Sequence, residues 1–177
     1  PLEQRRELAW SLLPSRQSFL RQEAARTWLN AFPQLPPVQK LMQLLEDPAP
    51  EVRQTTLNAL SRFREVSDLK SLQTMAASPY LDVRLGIIPL VDSLPPEDKS
   101  RFFMSLLLDT EPVLRARALR SLAALQPDNW RRIFTASLRD PSPEVRRAAG
   151  EELLSTLGHE GRTLLSEWME ANPGNDL

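Results

Sequence analysis

The sequence predicts an all-α solenoid of about five two-helix repeats, and three observations point to it. The first is a recurring stretch. Asp140-Pro141-Ser142-Pro143-Glu144-Val145-Arg146 returns as Asp109-Thr110-Glu111-Pro112-Val113-Leu114-Arg115 and as Asp47-Pro48-Ala49-Pro50-Glu51-Val52-Arg53, with a weaker copy from Ser78 to Arg84. The second is its period. The arginines stand at 53, 84, 115 and 146, a constant step of 31 residues, and a fixed step of that size marks stacked repeats. The third is that apolar columns keep the same step. Positions 41, 72, 103 and 134 are Leu, Leu, Phe and Phe; positions 52, 83, 114 and 145 are Val, Val, Leu and Val; positions 60, 91, 122 and 153 are Leu, Val, Leu and Leu. Two other columns are mixed and read as surface: 54, 85, 116 and 147 are Gln, Leu, Ala and Arg, and 58, 89, 120 and 151 are Asn, Pro, Arg and Glu.

The elements follow in order. Residues 2–13 form a short amphipathic helix with Leu2, Leu8, Ala9, Leu12 and Leu13 able to share a face. Pro14 ends it, and Ser15 or Ser18 caps a second helix that runs to about Phe32. Leu20-Arg21 lies 32 residues before Val52-Arg53, so residues 1–33 read as a degenerate first repeat and N-terminal cap. Pro33, Pro36 and Pro37 make a stiff connector. Residues 34–157 then hold four regular repeats, with first helices at 37–46, 67–77, 97–108 and 128–139 and second helices at 50–64, 81–93, 112–125 and 143–157. Pro50, Pro112 and Pro143 fall at helix starts, where a missing N–H costs nothing. Pro89 falls inside a second helix and should kink or loosen it, with a local change of curvature. Gly158 to Gly161 reads as a turn, residues 162–170 as a last first-type helix, and Asn172-Pro173-Gly174 as its stop. Residues 158–177 are thus a C-terminal half-repeat cap, and residues 1–177 a single repeat domain. Pro1 and the unfinished last repeat suggest a domain of a longer chain.

The physics favours repetition. A helix of about 12 residues is marginal alone. Stacking pairs of them buries apolar faces that no single pair can cover.

Composition narrows the function. With 22 basic and 23 acidic residues the net charge is −1, which gives no general attraction to nucleic acid or an anionic membrane. The chain has no cysteine, so it has no disulfide framework and no thiolate chemistry. No apolar run approaches the ~18 residues of a membrane span, no signal peptide is visible, and nothing indicates a compartment. His159 is the single histidine, in a glycine-flanked turn, and reads as a surface residue. A catalytic triad or metal site built on it has no second base or ligand. Glu151-Glu152 reads as helix surface, and 5 glycines include no phosphate-binding loop. No catalytic, cofactor or metal residues are assigned, and the chain is read as not an enzyme. Of the tryptophans, Trp10 and Trp28 read as core, while Trp168 reads either as a cap residue or as an exposed contact.

Two short helices joined by Asp-Pro-x-Pro-x-Val-Arg, with Ala and Leu at helical spacing after it, resemble HEAT repeats, most closely the short bacterial HEAT-like kind also seen in bilin lyase subunits. The resemblance is strong over 38–157 and weak outside it. It implies a right-handed superhelix. It also implies a ladder between neighbouring repeats, with Asp47, Asp109 and Asp140 pairing with Arg53, Arg84, Arg115 and Arg146, weakest at Ser78. In such arrays the exposed side of the second helices lines the concave face. By register that face holds Arg62, Leu85, Pro89, Ala116, Arg120 and Arg147, an apolar middle with an arginine rim suited to a peptide or helix. The expected function is a scaffold or adaptor for a protein partner, without nucleic acid, membrane insertion or cofactor. The alternatives that the resemblance brings are a subunit of a bilin-lyase-like cofactor-attachment assembly and, less favoured by the charge, a HEAT-like nucleic-acid-binding protein.

Overall fold

The computed structural model describes residues 2–34, 36–62 and 68–173. Among them are eleven α-helices and no strand: α1 (Leu2–Leu12), α2 (Ser18–Asn30), α3 (Val38–Leu45), α4 (Pro50–Leu60), α5 (Leu69–Ala76), α6 (Leu81–Gly86), α7 (Pro96–Leu106), α8 (Pro112–Leu125), α9 (Trp130–Ser137), α10 (Pro143–Leu157) and α11 (His159–Ala171). The fold is the all-α solenoid that the 31-residue step predicts. The predicted ends at 64 and 67 and the stop at Gly174 lie outside the described residues.

The chain falls into two compact units, Pro1–Pro95 and Pro96–Leu177. In the first, α1 packs on α2, α2 on α4, α4 on α6, and α3 on both α4 and α5. In the second, α8 is contacted by α7 and α10, and α10 also by α9 and α11. Each unit is therefore built from helix pairs laid on helix pairs.

Three of the apolar columns are fully observed core, while the column 45, 76, 107 and 138 (Leu, Ala, Leu and Leu) is core at Leu45 and Leu138 and only half-buried at Ala76 and Leu107. Leu41, Leu72, Phe103 and Phe134 are buried, as are Val52, Val83, Leu114 and Val145, and Leu60, Val91, Leu122 and Leu153. Each fully buried aliphatic side chain stabilises by roughly 1.5–3 kcal/mol, before chain entropy is set against it.

The prolines at helix starts act as expected, and Pro89 does more than kink its helix. Helices α4, α8 and α10 begin at Pro50, Pro112 and Pro143. Pro89 ends the helical bonding of its segment: α6 stops at Gly86 and the chain continues as a 3-10 helix, Ile88–Ser93. Pro89 lacks the N–H that would reach the Leu85 carbonyl. Bonding resumes on the tighter ladder, with Leu90 N–H donating to the Ile87 carbonyl at 2.9 Å. Pro89 itself is exposed, while Leu90 and Val91 stay in the core.

The Gly158–Gly161 turn is corrected. Only Gly158 leaves the helical region, at φ +55°, and α11 starts at His159. Gly161 serves packing instead. It is buried, and a Cβ there would collide with the backbone carbonyl of Leu153, so its lack of a side chain lets α11 lie directly on α10.

Candidate functional site

The recurring arginine is committed to architecture in two directions. One amino group turns back to close its own turn. Arg53 Nη1 donates to the carbonyls of Asp47 and Pro48, Arg115 Nη1 to those of Asp109 and Thr110, and Arg146 Nη1 to those of Asp140 and Pro141, six and five residues back in each case. Arg84 Nη1 reaches the carbonyl of Ser78 in the same way. In Arg53 and Arg115 the other edge of the guanidinium grips the following repeat. Arg115 meets both oxygens of Asp140 at 2.8 and 2.7 Å. The aspartate also accepts from the backbone N–H two residues on, as Asp47 does from Ala49, Asp109 from Glu111 and Asp140 from Ser142. That contact sets the extended residue before each second helix.

The ladder differs from its expected form at two rungs. Asp47 pairs forward from Arg21, at 2.8 and 2.9 Å, and not with Arg53. Arg21 Nη1 also donates to the carbonyls of Ser15 and Arg16, and Ser15 Oγ accepts from Gln17 N–H. Ser15 is thus the first repeat's turn residue, in the place of Asp47, and not the helix cap. At the Ser78 turn the ladder continues. Arg53 Nε takes Asp82 instead, at 2.9 and 3.2 Å, and its guanidinium lies 3.9 Å above the centre of the Tyr80 ring. Ser78 Oγ replaces the missing carboxylate by accepting from Tyr80 N–H.

These pairs are shielded from water. The Arg21–Asp47 and Arg115–Asp140 side chains are each 13% exposed or less. Hydrogen bonding to Asp47 and to Asp140 holds Arg21 and Arg115 above the usual guanidinium range. Burial pushes the Asp140 carboxyl up, but the hydrogen bonds from Arg115 and Ser142 N–H and the charges of Arg115 and Arg146 outweigh it, so it ionises below the usual carboxylate range. Arginines so occupied have no edge left for a partner.

The outward column of the second helices is different. Asn58, Pro89, Arg120 and Glu151 are all exposed. In the first unit, Arg62, Asn58 and Thr55 line a cleft of about 280 Å³ between α2 and α4, with Arg26 and Asn30 on its other wall. Arg62 Nη1 donates to Asn30 Oδ1 at 2.8 Å, Gln22 Nε2 to Thr55 Oγ1 at 3.2 Å, and Gln54 Nε2 to Asn58 Oδ1 at 2.9 Å. Residues 26 and 30 stand 32 before 58 and 62. Extending the surface columns through the same offset that aligns Leu20-Arg21 with Val52-Arg53 would have found them. Leu85, also in this unit, is half-buried.

In the second unit Arg120 and Arg147 are exposed, and Arg120 approaches Glu151 at only 3.8 Å. Ala116 is corrected: it is fully buried and offers nothing to a partner. Its helix, α8, is contacted by both α7 and α10, and a methyl group does not reach past such neighbours.

The remaining candidates are structural. Trp28 is core, but Trp10 is only half-buried, its ring 4.8 Å from that of Trp28 and 4.4 Å from the Lys40 ammonium. Trp168 faces the core of its unit, 8% exposed, with its indole N–H unpartnered. His159 is exposed at the start of α11. Among the described residues no three His, Asp or Glu side chains gather as a metal site, and no helix is long and apolar enough to cross a membrane.

Comparison with known proteins agrees with the helix pairing. No curated protein matches the chain. Among solved structures, the crystal structure of an engineered protein from the Northeast Structural Genomics Consortium is similar at 17% identity, covering 96% of this chain and 90% of that one, with a TM-score of 0.45. The family model for HEAT repeats matches residues 7–88 and 100–176. Those two spans take in most of the 177 residues, and the chain belongs to the HEAT-repeat family.

Proposed function

We propose that the chain is a non-catalytic protein-interaction module that holds a partner segment on the outward faces of its second helices. HEAT repeats commonly serve as protein-interaction scaffolds, and this is the finer form of that role which the side chains support best. The observation that carries it is the cleft between α2 and α4. Arg26, Arg62, Asn30 and Asn58 bring guanidinium and amide groups together in one open trough, where Arg26 pairs with the exposed Glu23 and Arg62 with Asn30, contacts that a partner's acceptors would have to share or displace. Donors in that arrangement suit the carbonyls and carboxylates of a peptide lying across the helices. The loose Arg120–Glu151 contact in the second unit is worth about 0–1 kcal/mol and yields readily to a competing carboxylate.

The test is affinity capture with the full chain, comparing wild type with Arg26→Glu/Arg62→Glu and, separately, with Arg120→Glu/Arg147→Glu. Circular dichroism shows whether each is folded. Proteins held by the wild type and released by both variants support the reading. Equal retention by both folded variants sinks it.

A further inference from the structure

The first helix pair carries an apolar surface that the repeat pattern does not require. Among the described residues eight large apolar side chains are strongly exposed, and five of them, Leu2, Leu8, Leu12, Phe19 and Leu20, lie in α1 and the start of α2. Leu8 and Leu12 stand on columns that are wet in every later repeat. Stepping by 31, the Leu8 column continues as Gln39, Lys70, Arg101 and Arg132, and the Leu12 column as Gln43, Thr74, Ser105 and Ala136, all exposed. Leu20 behaves oppositely. It is 36% exposed, whereas its later equivalents Val52, Val83, Leu114 and Val145 are at most 1% exposed.

Leu8, Ala9, Leu12, Leu20 and Ala24 form the apolar floor of an open groove of about 270 Å³ between α1 and α2. A further repeat stacked against this pair would cover Leu20. It would leave the Leu8 and Leu12 columns in water, as they are in every later repeat. An occupant that explains all three leucines must lie across both helices.

The groove is charged in a self-complementary way. Arg5 lines it from α1 and Glu23 from α2; both are exposed, and Glu23 makes a solvent-exposed pair with Arg26 at 2.9 Å that a second guanidinium can share. We propose that the occupant is a second copy of this chain, related by a two-fold axis through the apolar floor. The two helix pairs then close a four-helix layer, with Arg5 of each copy opposite Glu23 of the other. Such isologous pairing needs opposite charges on the two sides of one patch, and an apolar centre with a charged rim meets that need. The groove lies on the α1 side of α2 and the cleft on its α4 side, and the leucine variant changes only α1, so its failure is distinguishable from a failure of the proposed function.

Sedimentation equilibrium on the full chain tests it. The wild type should approach twice the 20.1 kDa chain mass as concentration rises. Leu8→Glu/Leu12→Glu should weaken association by at least ~10-fold, about 1.4 kcal/mol, with unchanged circular dichroism. Because the sequence has no cysteine, a mixture of Arg5→Cys and Glu23→Cys chains should oxidise to a cross-linked pair far better than either alone. This readout does not depend on how the leucine variant folds. A wild type that stays monomeric at several hundred micromolar overturns the proposal. So does a folded leucine variant that still dimerises, or cross-linking with no preference for the mixture. A different protein seated on this groove while the chain remains monomeric overturns it too.

Discussion

Arg53 and Arg115 occupy the same step of the repeat, yet they grip the next pair through different side chains. Arg115 meets Asp140, the turn aspartate of the following repeat, and both partners are almost dry. Arg53 meets Asp82, four residues beyond the turn serine that replaces that aspartate, and this carboxylate is 37% exposed. The shortfall in the second rung is met by an aromatic face, Tyr80, beneath the guanidinium. A fork of five donors needs only an acceptor within reach of its outer edge, so the arginine tolerates displacement of its partner along the chain. What does not vary is the inner edge, which closes the arginine's own turn through carbonyls that every sequence supplies.

The contrast can be broken from its stronger side first. Arg115→Ala should cost about 3–5 kcal/mol in denaturant unfolding, because it leaves the shielded Asp140 charge without its main partner and frees two turn carbonyls. Asp140→Asn should cost less, roughly 1–3 kcal/mol, and its signature is in pH. The folded carboxyl ionises below its unfolded range, so the unfolded chain takes up the proton first. Its stabilisation is present above the ordinary range near ~4 and is lost as pH falls through the depressed folded value. The wild type should therefore lose stability in acid with a steeper slope than Asp140→Asn. An identical acid limb in the two proteins would remove the rung from the account.

The second rung should yield less. Asp82→Ala is expected to cost about 1 kcal/mol, since the pair is wetter and Tyr80 and the turn carbonyls still hold Arg53. Adding Ser78→Asp to that variant should recover at least half of the loss by restoring the turn carboxylate that the other rungs use; no recovery would mean that position 78 cannot reach Arg53. Tyr80→Leu should show the smallest effect, about 0.5–1 kcal/mol, read by a double-mutant cycle with Arg53→Lys.

The same contrast separates what was legible in the sequence from what was not. The period located the arginines at 53, 84, 115 and 146, and columns such as 41, 72, 103 and 134 predicted the core, because burial in stacked pairs repeats with the backbone. A disturbance at Pro89 was readable because a missing N–H is a local fact, but its extent, an end to the α-helix at Gly86 and not a kink, was not. The partner of each arginine was not readable, since a long side chain chooses among carboxylates several residues apart. Ala116 shared a column with Gln54 and Arg147 but not their reach, so position alone overstated its exposure. Gly161 looked like a turn residue, and its use in bringing two helix backbones together depends on what lies across from it. On the candidate interaction face, Asn58 and Arg62 followed from register, whereas Arg26 and Asn30 were hidden by the one-residue offset of the first repeat.

A guanidinium that closes its own turn behind it and reaches only forward gives the Arg21, Arg53 and Arg115 junctions the same kind of ends. Cut between two repeats, and one side keeps a prepared cation while the other keeps a prepared acceptor. Any two such ends can be spliced, so copies can be duplicated, excised or exchanged without inventing a new seam. At the Ser78 turn the acceptor comes instead from the adjoining helix, and Arg53 keeps the same hold on its own turn.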